Sequence, residues 1–94
     1  MDNIKITTES GSTYEIKHGI CKKFDKEGYW LDSFKLLTLK PILVEDSEIK
    51  SWADLRALPD GEPQIGLRIY IGGFDSWWIS TRVVSIESLE ENND

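Results

Sequence analysis

Residues 65–89 read IGLRIYIGGFDSWWISTRVVSIESL and constrain the fold more than any other stretch of the chain. Two β-rich runs, 65–71 and 77–86, flank Gly72-Gly73-Phe74-Asp75-Ser76, whose paired glycines tolerate the positive φ angles of a tight reversal. The pattern predicts a β-hairpin. In the second run Trp77, Ile79, Thr81 and Val83 share one parity, and Trp78, Ser80, Arg82, Val84 and Ile86 share the other. A run apolar on both faces is expected to be a central strand. One of its faces should look into the sheet's own core, with Trp78, Val84 or Ile86 covered by a further element.

Strand-like alternation recurs upstream. Ile4, Ile6 and Thr8 line one face of a first run, and Tyr14, Ile16, His18, Ile20 and Phe24 line one face of a second over residues 13–24. Ser10-Gly11-Ser12 is the turn between them, and the long second run needs a bend near Gly19. A third strand is expected over residues 29–39, ending by Lys40 because Pro41 cannot donate to a ladder. Residues 46–58 are the helix candidate: Asp46 or Ser47 can cap it, Ile49, Trp52, Ala53 and Ala57 form one stripe, and Pro59 stops it. Ser51 followed by Asp54 offers a competing later start. Ile49 and Trp52 need a surface to bury against, and the final run supplies one.

The expected architecture is mainly β (α+β): a small five-stranded antiparallel curved sheet or partly open barrel, with one short helix around residues 47–58. A chain of 94 residues has room for one modest core and no second domain. Residues 1–89 should form that single domain, and 90–94 an acidic mobile tail. The uncharged apolar runs, such as 41–44 and 77–79, fall far short of the ~20 residues that cross a bilayer. The start, MDNIKITTE, alternates like a strand and lacks the basic opening and apolar core of a signal peptide. One cysteine, Cys21, cannot form an internal disulfide. A cytoplasmic protein with no membrane association is the expectation.

Net charge is −6, and Glu87, Glu90, Glu91 and Asp94 supply four of the negative charges, leaving −2 for residues 1–86. That balance argues against affinity for a phosphate backbone, which is built from clustered Lys and Arg. The segment Lys22-Lys23-Phe24-Asp25-Lys26 does interleave basic residues with an aromatic, as some single-strand-binding barrels do. On an acidic chain it reads better as a polar strand end.

Candidate chemistry is sparse. His18 and Cys21 are three residues apart, so on a strand they point to opposite faces and cannot pair as base and nucleophile. A structural zinc site needs four such ligands. Asp25 with Glu27, and Asp60 with Glu62, fall in expected turns, where no cleft perturbs their acidity. Gly72-Gly73 lacks the further glycine and the Lys-Ser/Thr of a phosphate loop. No catalytic residue, metal site or cofactor is expected. The best binding candidates are Phe74, Asp75, Trp77 and Trp78, because aromatics near a protruding hairpin tip are good interface anchors. If both tryptophans are core, Phe74 alone is left exposed.

Gly11-Ser12-Thr13-Tyr14-Glu15-Ile16 and Ile79-Ser80-Thr81-Arg82-Val83-Val84-Ser85-Ile86-Glu87 resemble the two ends of short bacteriophage-encoded proteins of uncharacterised function. Those open with a strand, G-S-x-Y and a second strand, and close with a T-S/T-x-V-V-x-I-E strand. Arg82 stands where that pattern has proline. The resemblance implies a phage or prophage origin and carries no catalytic residues.

The expected function is thus a non-enzymatic binding protein that acts through a protein–protein interface, as a phage accessory or host-takeover (anti-defence) factor. The alternatives are an acidic nucleic-acid mimic that inhibits a host enzyme, a structural homo-oligomer paired through exposed β edges, and, least favoured, a small enzyme using His18.

Overall fold

Alternation of buried and exposed residues along short runs builds the main sheet. A computed structural model describes residues 3–89 and contains β1 (Ile4–Thr8), β2 (Thr13–Lys17), β3 (Ile20–Phe24), β4 (Trp30–Lys35), β5 (Thr38–Pro41), a 3-10 turn (Asp46–Glu48), α1 (Trp52–Arg56), β6 (Ile69–Gly72), β7 (Trp77–Ile79) and β8 (Val83–Ser88). Five strands form one antiparallel sheet in the order β4-β3-β2-β1-β8; the other three form a second, β5-β6-β7. The architecture is mainly β with one short helix, and the sheet does not close into a barrel. Residues 90–94, the expected acidic tail, lie outside the described residues.

Register in the five-stranded sheet sorts the side chains into rows. Ile86, Ile6, Tyr14, Lys23 and Asp32 stand opposite one another across β8, β1, β2, β3 and β4, and Ile4, Ile16, Cys21 and Phe34 form the next inward row. On the outer face Glu87, Lys5, Glu15 and Lys22 alternate in charge across four strands, an arrangement that supports the pairing because opposite charges attract across a ladder.

Three expected runs divide. The second run reverses at His18-Gly19, whose φ angles of 51° and 77° suit a two-residue hairpin turn, so the expected bend is a full reversal. The third run breaks at Leu36-Leu37: the Leu36 amide donates to Gly19 O of one sheet at 2.7 Å and the Leu37 amide to Gly72 O of the other at 2.9 Å. The chain thereby crosses between sheets, and β5 extends through Pro41, which pairs with Ile69 at a sheet edge rather than ending by Lys40. The final run splits at Ser80-Thr81-Arg82 into β7 and β8. It is therefore not one central strand, because each half is an edge strand of a different sheet.

The three-stranded sheet packs on both faces. Leu39, Ile69 and Ile71 join Ile6, Tyr14, Ile16, Cys21 and Val83 in the core between the sheets, with Ile4, Phe34, Leu36 and Trp78 against it. Tyr70 and Ile79 turn the other way and pack with Ile42, Ile49, Leu55 and Leu58 beneath the helix. Each fully buried Ile or Leu contributes about 1.5–3 kcal/mol. The helix is shorter than residues 47–58. A separate 3-10 turn precedes it, and Ser51 caps α1 with Asp54, the later start. Lys40 then donates to the carbonyls of Arg56, at 3.2 Å, and Leu58, satisfying groups that a helix C-terminus leaves open.

Candidate functional site

The residues that could carry catalysis are separated or occupied. His18 is exposed in the β2–β3 turn, whereas Cys21 is fully buried. Burial pushes the Cys21 thiol up to about 12, with nearby Asp32 acting in the same direction, so it stays protonated and inert at neutral pH. Asp25 accepts the Glu27 and Tyr29 amides at 2.9 Å as a turn former. Asp60 accepts the Thr38 hydroxyl at 2.6 Å and lies 3.3 Å from Lys40, which holds its carboxyl below the ordinary range. Among the described residues no group of three or more His, Cys, Asp or Glu could hold a metal ion.

The Lys22–Lys26 segment does not present its lysines together. β3 alternation sends Lys22 outward and buries Lys23, whose ammonium donates to Tyr14 Oη at 2.8 Å and lies 4.2 Å from the Trp78 ring centroid. Burial lowers the Lys23 pKa and raises that of Tyr14. Trp78 Nε1 donates to Asp32 Oδ2 at 3.1 Å, and Trp78 packs, partly buried, against the inter-sheet core.

Trp77 takes the opposite face because side chains alternate along β7. It is half exposed, and its ring meets that of Trp52 at 4.3 Å between centroids with an interplanar angle of 63°. The helix thus meets Trp77, not the Trp78, Val84 or Ile86 expected from the final run. Phe74, at the hairpin tip, is 90% exposed, and Asp75 beside it is exposed. Gly72 and Gly73 do not adopt positive φ; a Cβ on Gly73 would lie 2.6 Å from Phe34 Cδ2 and 2.7 Å from Lys35 O. The glycines therefore let the hairpin end press against β4.

Beside the two indoles runs an open groove of about 420 Å³ lined by Ile49, Lys50, Ser51, Trp52, Leu55 and Ile79. A smaller hollow of about 160 Å³ shares Ile49, Leu55 and Ile79 with it and reaches Asp46 and Arg68, which form an ion pair at 2.9 Å. Of the four residues expected at an interface, Phe74, Asp75 and Trp77 are at the surface here. A helix starting at Asp46 would bury Trp52; the Ser51-Asp54 capping pair is the signal that Trp52 sits on the first turn of a shorter helix.

No protein-family model, curated protein or solved structure gives a significant match to the chain.

Proposed function

We propose that the protein is a non-enzymatic binding module that engages another protein through Phe74, Trp77 and Trp52. The observation that carries this reading is the contact of two half-exposed indoles at the rim of an open apolar groove. Such amphipathic rings bring large area at low entropic cost and dominate interface energetics. The resemblance of the chain's ends to phage-encoded proteins supports a role as a phage accessory or host-takeover factor in a host cytoplasm. Among the described residues no helix is long and apolar enough to cross a membrane.

The test compares the folded protein with a Phe74→Ala/Trp77→Ala double variant in co-purification at micromolar concentration. A species retained by the parent and lost by the variant, with circular dichroism unchanged, is the expected result. Equal retention, or none by the folded parent, overturns it. Exposed Val84 on edge strand β8 favours homo-oligomerisation as a second reading, which light scattering distinguishes.

A further inference from the structure

We infer that the outer face of the five-stranded sheet binds single-stranded nucleic acid, at a site separate from the corner of Phe74, Trp77 and Trp52. The chain's net charge of −6 describes no single face. Strand register sorts the charges by side. Lys5, Lys17, Lys22 and Lys35 stand on the outward parity of β1, β2, β3 and β4, against Glu15 and Glu87, so this face is cationic on an acidic protein. Among the described residues none of the four lysines forms an ion pair. Ammonium groups in excess on an open surface are what a phosphate backbone recruits.

Aromatic rings share the face. Phe24 stands opposite Trp30 in the β3–β4 ladder, on the same parity of β3 as Lys22, and the Trp30 indole is 60% exposed. At the other end of β3, Ile20 lines a hollow of about 330 Å³ together with Glu15, Lys17, His18 and Lys22. Phe24 and Ile20 lie about 13 Å apart along the strand, with Lys22 midway. Unpaired bases stack on exposed rings while their phosphates meet the lysines beside them, which is how a sheet surface holds a single strand without a cleft. A duplex keeps its bases inside and offers phosphates alone. Acidic side chains of a protein partner give the indole no flat π surface. Trp30 therefore decides for the unpaired strand over both.

The experiment titrates the full chain into a fluorescein-labelled oligothymidylate about 12 nucleotides long, read by anisotropy, with a duplex of that length and a polyglutamate of equal charge in parallel. The single strand should bind at least about tenfold more tightly than either, and its affinity should fall about a hundredfold between about 0.05 and 0.5 M salt, the slope for about three neutralised phosphates. Trp30→Ala should weaken binding at least about fivefold, with Trp30→Phe retaining most of it. Lys35→Gln, at an exposed position, should lower the salt slope by about 0.7 and serves where a Trp30 variant misfolds. Glu15→Gln should tighten binding severalfold, because it removes the carboxylate between Lys5 and Lys22. No binding of the single strand, equal affinity for polyglutamate, preference for the duplex, or an unchanged affinity in folded Trp30→Ala overturns the inference. So does an unchanged salt slope in Lys35→Gln. A loss of affinity in Phe74→Ala also overturns it, because that places the strand at the hairpin tip. Co-purification that depends on Phe74 and Trp77 while no oligonucleotide binds would leave the protein-binding reading standing alone.

Discussion

Lys23 places its ammonium 4.2 Å from the centre of the Trp78 ring, although the two residues belong to different sheets. Trp78 also reaches Asp32, which stands opposite Lys23 in the β3–β4 register. The second sheet is therefore keyed onto the polar end of one row of the first, where Lys23 and Asp32 stand side by side.

Removing the key exposes its worth. Trp78→Ala should destabilise the fold by about 3–5 kcal/mol, because it opens a cavity and removes one of the two aromatic rings beside the Lys23 ammonium. Trp78→Phe should cost about 1–2 kcal/mol, since a π face remains while the Asp32 hydrogen bond is lost. A urea-unfolding double-mutant cycle with Lys23→Met should return a coupling of about 0.5–2 kcal/mol. Additive effects would show that the contact is incidental.

The same cluster shapes alkaline stability. Cys21, raised by burial, keeps its proton more tightly in the fold, so its contribution is whole below 9.0 and is lost as pH climbs toward about 12. Lys23 acts in the opposite sense. Its lowered pKa means that the unfolded chain binds the extra proton, and stability gains from this group as pH rises toward 10.5. Lys23→Met should therefore compare best with the parent near neutral pH and lose ground as pH approaches 10.5. Cys21→Ala should flatten the decline above 9.0. Denaturant midpoints measured from pH 7 to 11 check both directions, and parallel curves for parent and variants would refute them.

Gly73 tests the join between the hairpin and β4. An added methyl would meet Phe34 and the Lys35 carbonyl, a backbone atom that cannot swing away. Gly73→Ala should cost about 1–3 kcal/mol by overpacking. Gly66, at φ 91° with open space around it, isolates the dihedral effect, and Gly66→Ala should cost about 1 kcal/mol. Thermal unfolding of the two variants separates a steric penalty from a conformational one.

Much of the β pattern is legible in the residues, because alternation reports which face is wet. Ile6, Tyr14 and Ile16 are buried as their parity requires. Chain reversals are less legible: Gly19 announces a bend, but the left-handed φ of His18 that completes a two-residue turn is only weakly signalled, since histidine visits that region more than most residues yet adopts it in a minority of cases. The split of the final run is hidden for another reason. Ser80, Thr81 and Arg82 suit an extended strand, yet the Ser80 hydroxyl accepts the Ile69 amide at 3.0 Å, a tertiary contact that alternation does not encode. With the split unseen, Trp78 and Trp77 exchange roles. The groove escapes sequence reading because Ile49, Leu55 and Ile79 converge only once the helix is shortened.

The aromatic corner should separate stability from binding. Phe74 is almost fully exposed, so Phe74→Ala should change unfolding free energy by less than about 0.5 kcal/mol. Trp77→Ala loses its edge contact with Trp52 and should cost about 1–2 kcal/mol, of which about 0.5–1.5 kcal/mol should appear as coupling in a Trp52/Trp77 double-mutant cycle. If both variants lose the partner while only Trp77→Ala shifts the denaturant midpoint, Phe74 acts as an anchor alone and Trp77 also fastens the helix to the sheet. A large stability loss in Phe74→Ala would instead mean that its ring packs against the fold, and the corner would shrink to the two tryptophans.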